Sequence, residues 1–391
     1  MRALNRGANR YSVRKITSLD EFKGIADEWN VLADHLGNPL LRHELFISLI
    51  SASFTNGHLY VIAVYDAHKL VAAAPLVLRR FFGVRRLEFI SQNICEPSGL
   101  LYLNEESLRE LIFQLFETRF PFLLSRLNRN DPELRIVKSV ARDSTPLITT
   151  DGGTTLCIPL TADYSALEKQ VSSSRRQTLR RCRRRAEALG RVEFLAYAPH
   201  GADVDPLLNE VFRIEGSGWK GKSKSAVLSS RNREMFFRLY AHALAQSNML
   251  RIYLMKIDGV AIACRLAACY KNVLYDLKIG YDESYGKLSP GFLLFHETLR
   301  FCYQDGLTSY NSLGTAADWQ MIWPHEEKKW QTLRYVPRRP SGVLILSGEM
   351  IRIALMRVRQ RADAHFRPAK TPAPMGADVV ERPTADLRSI H

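Results

Sequence analysis

The segment Asn272-Val-Leu-Tyr-Asp-Leu-Lys-Ile279 continues into Gly280-Tyr-Asp-Glu-Ser-Tyr-Gly-Lys-Leu-Ser289 and then into Pro290-Gly-Phe-Leu-Leu-Phe-His-Glu-Thr-Leu299. The β-branched and aromatic residues of the first part predict a strand, and the glycines and polar residues of the second predict a loop. Proline in its first turn predicts that the third part is a helix, with Ser289 as the N-cap. Because Gly291 leaves the first-turn amides unscreened, the loop and the helix dipole predict an anion site that a diphosphate would fit. An ordinary capped helix has the same local pattern.

A similar β-hairpin is predicted in each half of the chain. The hairpin in the first half is formed by Leu59-Tyr-Val-Ile-Ala-Val-Tyr-Asp66 and Leu70-Val-Ala-Ala-Ala-Pro-Leu76. The hairpin in the second half is formed by Leu250-Arg-Ile-Tyr-Leu-Met-Lys-Ile-Asp258 and Gly259-Val-Ala-Ile-Ala-Cys-Arg-Leu266. Each consists of an apolar run, an Asp-centred turn and a second apolar run, and a helical pattern comes before it. The repeat predicts a duplicated domain with a boundary near Thr150–Asp163, although any two hairpins share this pattern.

Composition and charge limit the class of protein. The chain has 391 residues, of which 46% are hydrophobic and 24% charged, so it can form a sizeable core. This excludes a collagen-like fibre, a disordered tail protein and a disulfide-stapled mini-protein, and the length predicts two domains. Of the formal charge of +15, residues 1–15 carry +5, residues 175–191 carry +7 and residues 334–391 carry +6, which leaves −3 for the remainder. The body is therefore nearly neutral and bears basic attachments, unlike a protein whose whole surface binds nucleic acid.

Targeting and metal signals are not found in the sequence. The six cysteines form no Cys-x-x-Cys pair and none stands at zinc spacing from a histidine, so we predict reduced thiols and no metal site. No apolar run follows the basic N-terminus, and the most apolar segment, Gly342–Val358, is interrupted by Glu349, Arg352 and Arg357. These features predict a cytoplasmic protein.

The tail 337–391 is consistent with peripheral contact with the inner face of the membrane, which the sequence neither requires nor excludes. Its first part is predicted to be basic and amphipathic, and would either lie on an anionic membrane surface or pack on the body of the protein as a helix. Its Pro- and Ala-rich end is predicted to be disordered.

Two further motifs point to anions. A long helix is predicted over Tyr164–Leu189, and eight arginines stand between 175 and 191. Because these charges repel one another, we expect a cofactor phosphate, an acidic glycan, RNA or an anionic lipid nearby, with a solvated basic face as the plain alternative.

The segment Gly216-Ser-Gly-Trp-Lys-Gly-Lys-Ser223 matches the phosphate-loop pattern, but a helical pattern precedes it and a loop follows it. That context argues against a nucleotide site.

A set of features in order resembles one family of acyltransferases. The features after the arginine-rich helix are Glu215-Gly-Ser-Gly-Trp-Lys-Gly221, the Asp258-Gly259 hairpin, Tyr275 to Glu283, Ser289-Pro-Gly-Phe-Leu-Leu294, and Leu313-Gly314 with Trp319 to Trp323. Together they resemble the acetyltransferases associated with bacterial cellulose and exopolysaccharide biosynthesis, which belong to the GNAT superfamily and are related to the Fem-type peptidyltransferases. The resemblance runs from about Ile16 to Trp330. It departs from the usual GNAT pyrophosphate pattern, because Tyr285 to Gly291 keeps the glycines only loosely.

The resemblance implies an α/β (α+β) fold of two tandem GNAT-like domains, each with a mixed, mainly antiparallel sheet flanked by helices. A basic extension over 1–15 would precede an N-terminal GNAT-like domain over 16–155, and an acyl-CoA-binding domain over 156–336 would precede the tail. Acetyl-CoA or another acyl-CoA would be the donor, and no metal is implied.

The chemistry of acyl transfer then predicts site residues. Amide formation from a thioester needs a neutral amine, a polarised carbonyl and a route for one proton. Backbone of the strand Tyr275–Ile279 is predicted to polarise the carbonyl, and Glu215 or Asp276 to accept the proton. Substrate-binding residues are predicted at Arg175, Arg176, Arg180, Trp219, Lys220, Tyr281 and Trp319. Cofactor-binding residues are predicted at Lys278, Gly286, Ser289, Gly291 and Phe292.

Three functions remain open at this point. The favoured one is an acyl-CoA-dependent N- or O-acyltransferase (acetyltransferase) that acts on an amine or hydroxyl of a cell-envelope or exopolysaccharide precursor. The second is a Fem-type transferase that takes an aminoacyl group from tRNA, the only one of the three that involves nucleic acid. The third is a non-enzymatic adaptor of a polysaccharide synthase at the membrane surface.

Overall fold

The computed structural model describes residues 10–53, 55, 57–94, 97, 99–141, 146–160, 163–218, 225–314 and 319–365; side chains at 93, 352–354 and 356–365 are outside this description. The described residues form two compact units. Unit 1 contains the chain up to 153 together with 329–365, and unit 2 contains 154–328.

Unit 1 combines helices with strands in two sheets. Its helices are α1 Leu19–Lys23, α2 Ala26–Leu36, α3 His43–Ser51, α4 Glu105–Glu117 and α5 Pro132–Val140. Its strands are β1 Tyr11–Ile16, β2 His58–Leu59, β3 Val61–Asp66, β4 Lys69–Ala74, β5 Leu76–Phe81, β6 Val84–Phe89, β7 Leu101–Tyr102 and β8 Phe122–Asn128. One sheet has the order β1-β3-β4-β7, and the other contains β8-β6-β5-β2, in which β6 and β8 are parallel. Helix α4 buries an apolar face that includes Leu108, Leu111 and Leu115.

Unit 2 has a six-stranded arrangement with helices. Strand β9 Leu147–Pro159 and strand β15 Glu326–Tyr335 contribute residues to both units. The other strands are β10 Val192–Tyr197, β11 Leu250–Ile257, β12 Val260–Tyr270, β13 Val273–Tyr281 and β14 Ser309–Asn311. The helices are α6 Tyr164–Gln170, α7 Ser173–Glu187, α8 Val204–Ser217, α9 Arg231–Gln246 and α10 Pro290–Gln304. The strand order is β10-β11-β12-β13-β14-β9, and only β13 and β14 are parallel.

Both predicted hairpins are confirmed as antiparallel pairs, β3 with β4 and β11 with β12. The predicted class, a mixed fold with mainly antiparallel sheets, is confirmed as well. Each unit also contains one parallel crossover, in which a helix joins neighbouring parallel strands: β6–α4–β8 in unit 1 and β13–α10–β14 in unit 2. Helices α4 and α10 therefore occupy the same place in the topology of their units.

One prediction about the helices is wrong. The continuous helix expected over Tyr164–Leu189 is two helices, because Val171 and Ser172 are extended, with ψ of 134° and 149°. The β-branched side chain of Val171 is 1% exposed, so the break buries an apolar group in the core of unit 2. Serines at 172–174 favour turns and helix starts over helix interiors, which places the second helix start there.

The tail contains helix α11, Pro340–His365, which packs on strand β6. Ile345 is 2% exposed. Glu349 pairs with Arg86 and with Arg334, each at 2.8 Å. One side of the predicted helix therefore packs on unit 1, as one of the two expectations had it, and the predicted disordered end lies outside the described residues. None of the helices in the described part of the chain is long and apolar enough to cross a membrane.

The ion pairs of Glu349 yield a stability prediction. We expect Glu349→Gln to weaken the docking of α11 by about 2 kcal/mol, below the roughly 3–5 kcal/mol of a fully buried pair, because the Glu349 side chain keeps 13% of its exposure. Limited trypsin digestion should then cut faster at arginines of α11. Met350→Gln, at a side chain that is 71% exposed, is the matched control and should digest like the unmodified protein. Equal rates for both variants would contradict the role given to Glu349.

Candidate active site

Strand β13 separates from its parallel neighbour near the middle of its length. The pairing of β13 with β14 runs from Val273, opposite Ser309, to Tyr275, opposite Asn311. Strand β13 then continues to Tyr281, whereas β14 ends at Asn311. The second half of β13 therefore extends beyond the end of β14.

A β-bulge lies at the start of this second half. On the β12 side, Ala267 pairs with Asp276 and Leu266 pairs with Lys278, so Leu277 is an extra residue in β13. A bulge bends the strand and changes the faces to which its side chains point. As a result, Asp276 contacts Arg265 below the α10 helix, whereas the Lys278 ammonium lies 5.0 Å from the ring centroid of Phe237 on α9.

A buried group of charges lies where β13 and β14 separate. Asp276 Oδ2 accepts hydrogen bonds from Arg265 and from the Tyr310 hydroxyl, the latter at 2.6 Å. The Arg265 guanidinium carbon also lies 4.6 Å from the ring centroid of Phe295 and 5.6 Å from that of Trp319. Strands β12, β13 and β14 each contribute one polar member, so the three side chains fasten the strands together at this point.

Charge pairing explains how Arg265 stays ionised in the core. Burial alone lowers the pKa of Arg265, but the Asp276 carboxylate and Tyr310 outweigh it, and the net shift is upward. Burial, followed by the Asp276 charge, raises the pKa of the Tyr310 hydroxyl. Asp276, one of the two predicted proton acceptors, thus lies in a buried ion pair with Arg265. The Arg265 side chain is 2% exposed and the Asp276 side chain 4%.

Glu215, the other predicted proton acceptor, lies at the end of α8 against β13. It is 1% exposed, and its Oε2 accepts a hydrogen bond of 2.8 Å from the Val227 amide. A Cβ at Gly280 would lie 2.7 Å from Glu215 Cα, so only glycine permits this approach of helix and strand. Glu215 is consequently held beside the half of β13 that extends beyond the end of β14.

The start of helix α10 differs from the prediction in one respect. Ser289 does not cap the helix with its side chain; its backbone is left-handed, with φ 53° and ψ 54°. The preceding 3₁₀ helix, Glu283–Leu288, imposes this turn, and the Ser289 amide donates to Gly286 O at 3.0 Å. A left-handed non-glycine residue costs about 1 kcal/mol or more and is found preferentially at ligand-binding turns.

The first turn of α10 leaves one described amide, that of Gly291, without an acceptor, because the Phe292 and Leu293 amides both donate to Ser289 O, at 3.0 and 3.1 Å. Pro290 has no N–H, and within the described residues the Gly291 amide donates to no acceptor. The first turn contains no acidic residue. A Cβ at Gly291 would lie 3.5 Å from the ring of Tyr281, an ordinary contact that brings β13 and α10 together. The structure therefore brings four predicted residues together at one corner, namely Tyr281, Gly286, Ser289 and Gly291.

The remaining predicted residues are distributed around this corner. Phe292 is partly buried against the core of unit 2, and so is Trp319, whose ring centroid lies 5.0 Å from that of Phe295. Lys278 lies with Phe237 of α9 rather than at the start of α10. Trp219 and Lys220 lie outside the described residues, as does the phosphate-loop-like segment from 219 to its end at 223. The part of that motif that is described, 216–217, ends helix α8, as its helical pattern predicts.

Helix α7 places arginines outside the core of unit 2. It buries Leu179, Cys182 and Ala186, and it packs against the 3₁₀ helix and α10 that form the corner. Arg175 and Arg180 are exposed, whereas Arg176 donates hydrogen bonds to the carbonyls of Glu168 and Lys169. The predicted basic face is therefore present beside the corner, and one of its three predicted residues has a structural role.

Sequence reasoning missed Arg265 and Tyr310. Arg265 is the one charged residue in the apolar run of β12, and such a residue in a buried strand signals a buried partner. No group of three or more His, Cys, Asp or Glu residues that could hold a metal ion occurs among the described residues.

The charge group at the strand separation yields the second prediction. We expect Asp276→Asn to destabilise the protein by roughly 3–5 kcal/mol, because it leaves the Arg265 charge buried without its counterion. Tyr310→Phe removes one hydroxyl and should cost about 1 kcal/mol. Urea unfolding followed by tryptophan fluorescence measures both. A stable Asp276→Asn variant that lacks activity would instead favour Asp276 as a catalytic group.

Comparison with known proteins agrees with this geometry. Residues 173–321 match the family described as "Acetyltransferase (GNAT) domain". No curated protein matches the sequence. Among solved structures, FemX is similar at a TM-score of 0.56 and 12% identity, covering 85% of this chain and 99% of FemX. A domain assigned to a lysylphosphatidylglycerol synthetase of Agrobacterium fabrum is similar at a TM-score of 0.52 and 12% identity, covering 83% of this chain and 96% of that domain. The matched segment contains the whole corner, and unit 2 has a GNAT acetyltransferase fold.

Proposed function

We propose that unit 2 transfers an acyl group from acyl-CoA to an amine or hydroxyl of an acceptor. The observation that carries this proposal is the start of α10, where a strained turn at Ser289 precedes a helix whose first amides have no side-chain cap. A diphosphate there would accept hydrogen bonds from backbone amides and meet the positive end of the helix dipole. Gly286 adds space, since a Cβ at that position would have no atom within 4 Å.

Comparison with the equivalent helix of unit 1 supports placing the donor in unit 2. Helix α4 begins with a capping box, in which the Asn104 side chain and the Ser107 side chain satisfy each other's backbone amides. Its first turn also contains Glu105 and Glu106, which repel a phosphate. The same position in the topology is thus closed to anions in unit 1 and open to them in unit 2.

The proposed reaction uses the second half of β13. The thioester arm would lie along this strand, with backbone amides polarising the carbonyl oxygen as negative charge develops on it. Of the two carboxylates, we assign the proton-accepting role to Glu215, because it lies beside this half-strand and Asp276 is neutralised by Arg265. The acceptor amine would attack the carbonyl carbon and pass its proton to Glu215. The C–S bond would then break, and the departing CoA thiolate would take that proton from Glu215 and leave as the thiol.

The acceptor class is the finer part of the proposal. The exposed arginines of α7 favour an acceptor that bears negative charge, because guanidinium groups bind phosphate and carboxylate in a bidentate manner. A precursor of an exopolysaccharide such as cellulose, or of another envelope glycan, fits this requirement when it is linked to phosphate. The resemblance in the sequence points to the same class.

The donor site yields the third prediction. We expect Gly291→Trp to weaken acetyl-CoA binding at least about 30-fold, equivalent to roughly 2 kcal/mol of lost charge-assisted hydrogen bonds, since the indole would cover the first-turn amide. Isothermal titration calorimetry with acetyl-CoA and longer acyl-CoAs measures this. Gly291→Ala is the control, because its Cβ would lie at an ordinary contact distance from Tyr281. Absence of heat with every thioester on the unmodified protein would overturn the proposed donor.

The proton acceptor yields the fourth prediction. Glu215→Gln keeps an oxygen that can accept the Val227 hydrogen bond but removes the base, so we expect kcat to fall by about 100-fold or more. KM for acyl-CoA should change little. Release of the CoA thiol with a phosphate-linked hexosamine acceptor measures both constants, and Glu210→Gln on the same helix is the control. Unchanged kcat would remove Glu215 from the mechanism.

A second candidate is transfer of an aminoacyl group from tRNA. The exposed arginines of α7 favour it, since a polyanion would also bind there. Binding to tRNA would weaken steeply as salt releases counterions, whereas binding of a small acyl-CoA to backbone amides would weaken far less. Salt-sensitive binding of aminoacyl-tRNA, together with no thioester binding, would favour this candidate over the first.

A further inference from the structure

Helix α11 presents an apolar face that the described residues leave uncovered. Val343, Leu344, Met350, Ile351 and Leu355 are exposed by 65%, 54%, 71%, 50% and 57%. Residues at spacings of three, four and seven share one side of a helix, so these side chains form a continuous stripe. Soluble surfaces seldom group so many large apolar side chains, and such a group marks a site of interaction.

The other side of α11 fixes the orientation of this face. Ile345 is buried, and Glu349 is held by Arg86 and Arg334. A Cβ at Gly348 would lie 2.5 Å from the Phe82 ring, so the helix backbone runs directly over that ring. Because the buried side is occupied by these contacts, rotation of α11 cannot hide the apolar stripe among the residues that the structure describes.

The charge of α11 indicates which kind of partner would cover the apolar stripe. Positions 357 and 361 stand seven and eleven residues after Met350, which places both on the side of the exposed stripe, and each is an arginine. Asp363 is the only acid after Glu349 within this helix. An apolar stripe that continues into a basic one is typical of helices that lie in the plane of an anionic membrane surface.

We infer that α11 docks unit 1 on a bilayer that contains anionic phospholipid, with its apolar stripe at the boundary of the acyl chains and its arginines at the headgroups. A second copy of the chain would bring the same basic stretch with it, so like charges would oppose that occupant. An anionic surface attracts each of these arginines. This inference does not depend on the transfer reaction proposed for unit 2.

Flotation with vesicles tests the inference on the full chain. Vesicles of phosphatidylcholine with phosphatidylglycerol at a 3:1 ratio should bind the protein at least ten-fold more tightly than pure phosphatidylcholine at moderate salt. The triple variant Leu344→Gln, Met350→Gln and Leu355→Gln should bind the vesicles at least ten-fold more weakly. The three apolar side chains that it removes would be transferred from water into the bilayer in the unmodified protein. The double variant Arg357→Gln and Arg361→Gln should lose about five-fold in affinity per arginine for the anionic vesicles, and its affinity for pure phosphatidylcholine should not change.

Controls separate docking from folding and from the reaction. The triple variant Val31→Gln, Leu189→Gln and Val260→Gln changes apolar residues that are 64%, 58% and 53% exposed elsewhere, and it should bind vesicles like the unmodified protein. All variants should keep their thermal unfolding midpoint and their acetyl-CoA binding. Failure of the unmodified protein to float, or equal flotation of the α11 triple variant, would overturn the inference. Light scattering that shows a dimer which the α11 triple variant converts to a monomer would overturn it in favour of self-association.

Discussion

The ion pair between Arg265 and Asp276 is the interaction on which the site depends, because it lies at the point where β13 leaves β14. Tyr310 completes it from β14, directly next to the last backbone pairs of the two strands. Without a fixed point there, the parallel strands could continue to pair or separate earlier. A buried ion pair adds little net stability compared with apolar packing, but its geometry is demanding and specifies one arrangement. Here it fixes β12, β13 and β14 to one another at the point where the pairing of β13 with β14 ends.

The two parallel crossovers show how one topology supports two different helix starts. In unit 1, the residues before α4 and in its first turn satisfy the helix amides locally and add two carboxylates. In unit 2, the 3₁₀ helix and the left-handed Ser289 use the backbone to make the turn, and no side chain of the turn reaches the amides. The strained turn in unit 2 costs free energy that a capping box would not. The two helix starts therefore differ in how the preceding turn is made, by side chains in unit 1 and by the backbone in unit 2.

Local patterns predict much of the fold but little of the polar core. The hairpins, the helix α10 and the loop before it follow from apolar alternation, turn residues and Pro290, all of which act over a few residues. Arg265, Asp276 and Tyr310 are 11 and 34 residues apart, and their contact depends on strand order and on the bulge at Leu277. The prediction that the Ser289 side chain caps α10 was wrong for a similar reason, because the preceding 3₁₀ helix decides the conformation of that residue. The break at Val171 depends on burial, which periodicity over the helix does not show.

The arginines of α7 cannot by themselves identify the donor. A positive field beside the corner raises the local concentration of any anion, whether a nucleotide diphosphate or a nucleic acid backbone, and salt weakens both effects. Selection between donors then depends on groups that respond to shape, and in the proposed reaction strand β13 is such a group. A pantetheine arm would lie along the half of β13 that continues after β14 has ended at Asn311, whereas the end of a tRNA would place a ribose and a base there. In the proposed reaction, the positions at which the two strands end, more than the charge of the helix beside them, would distinguish the two donors.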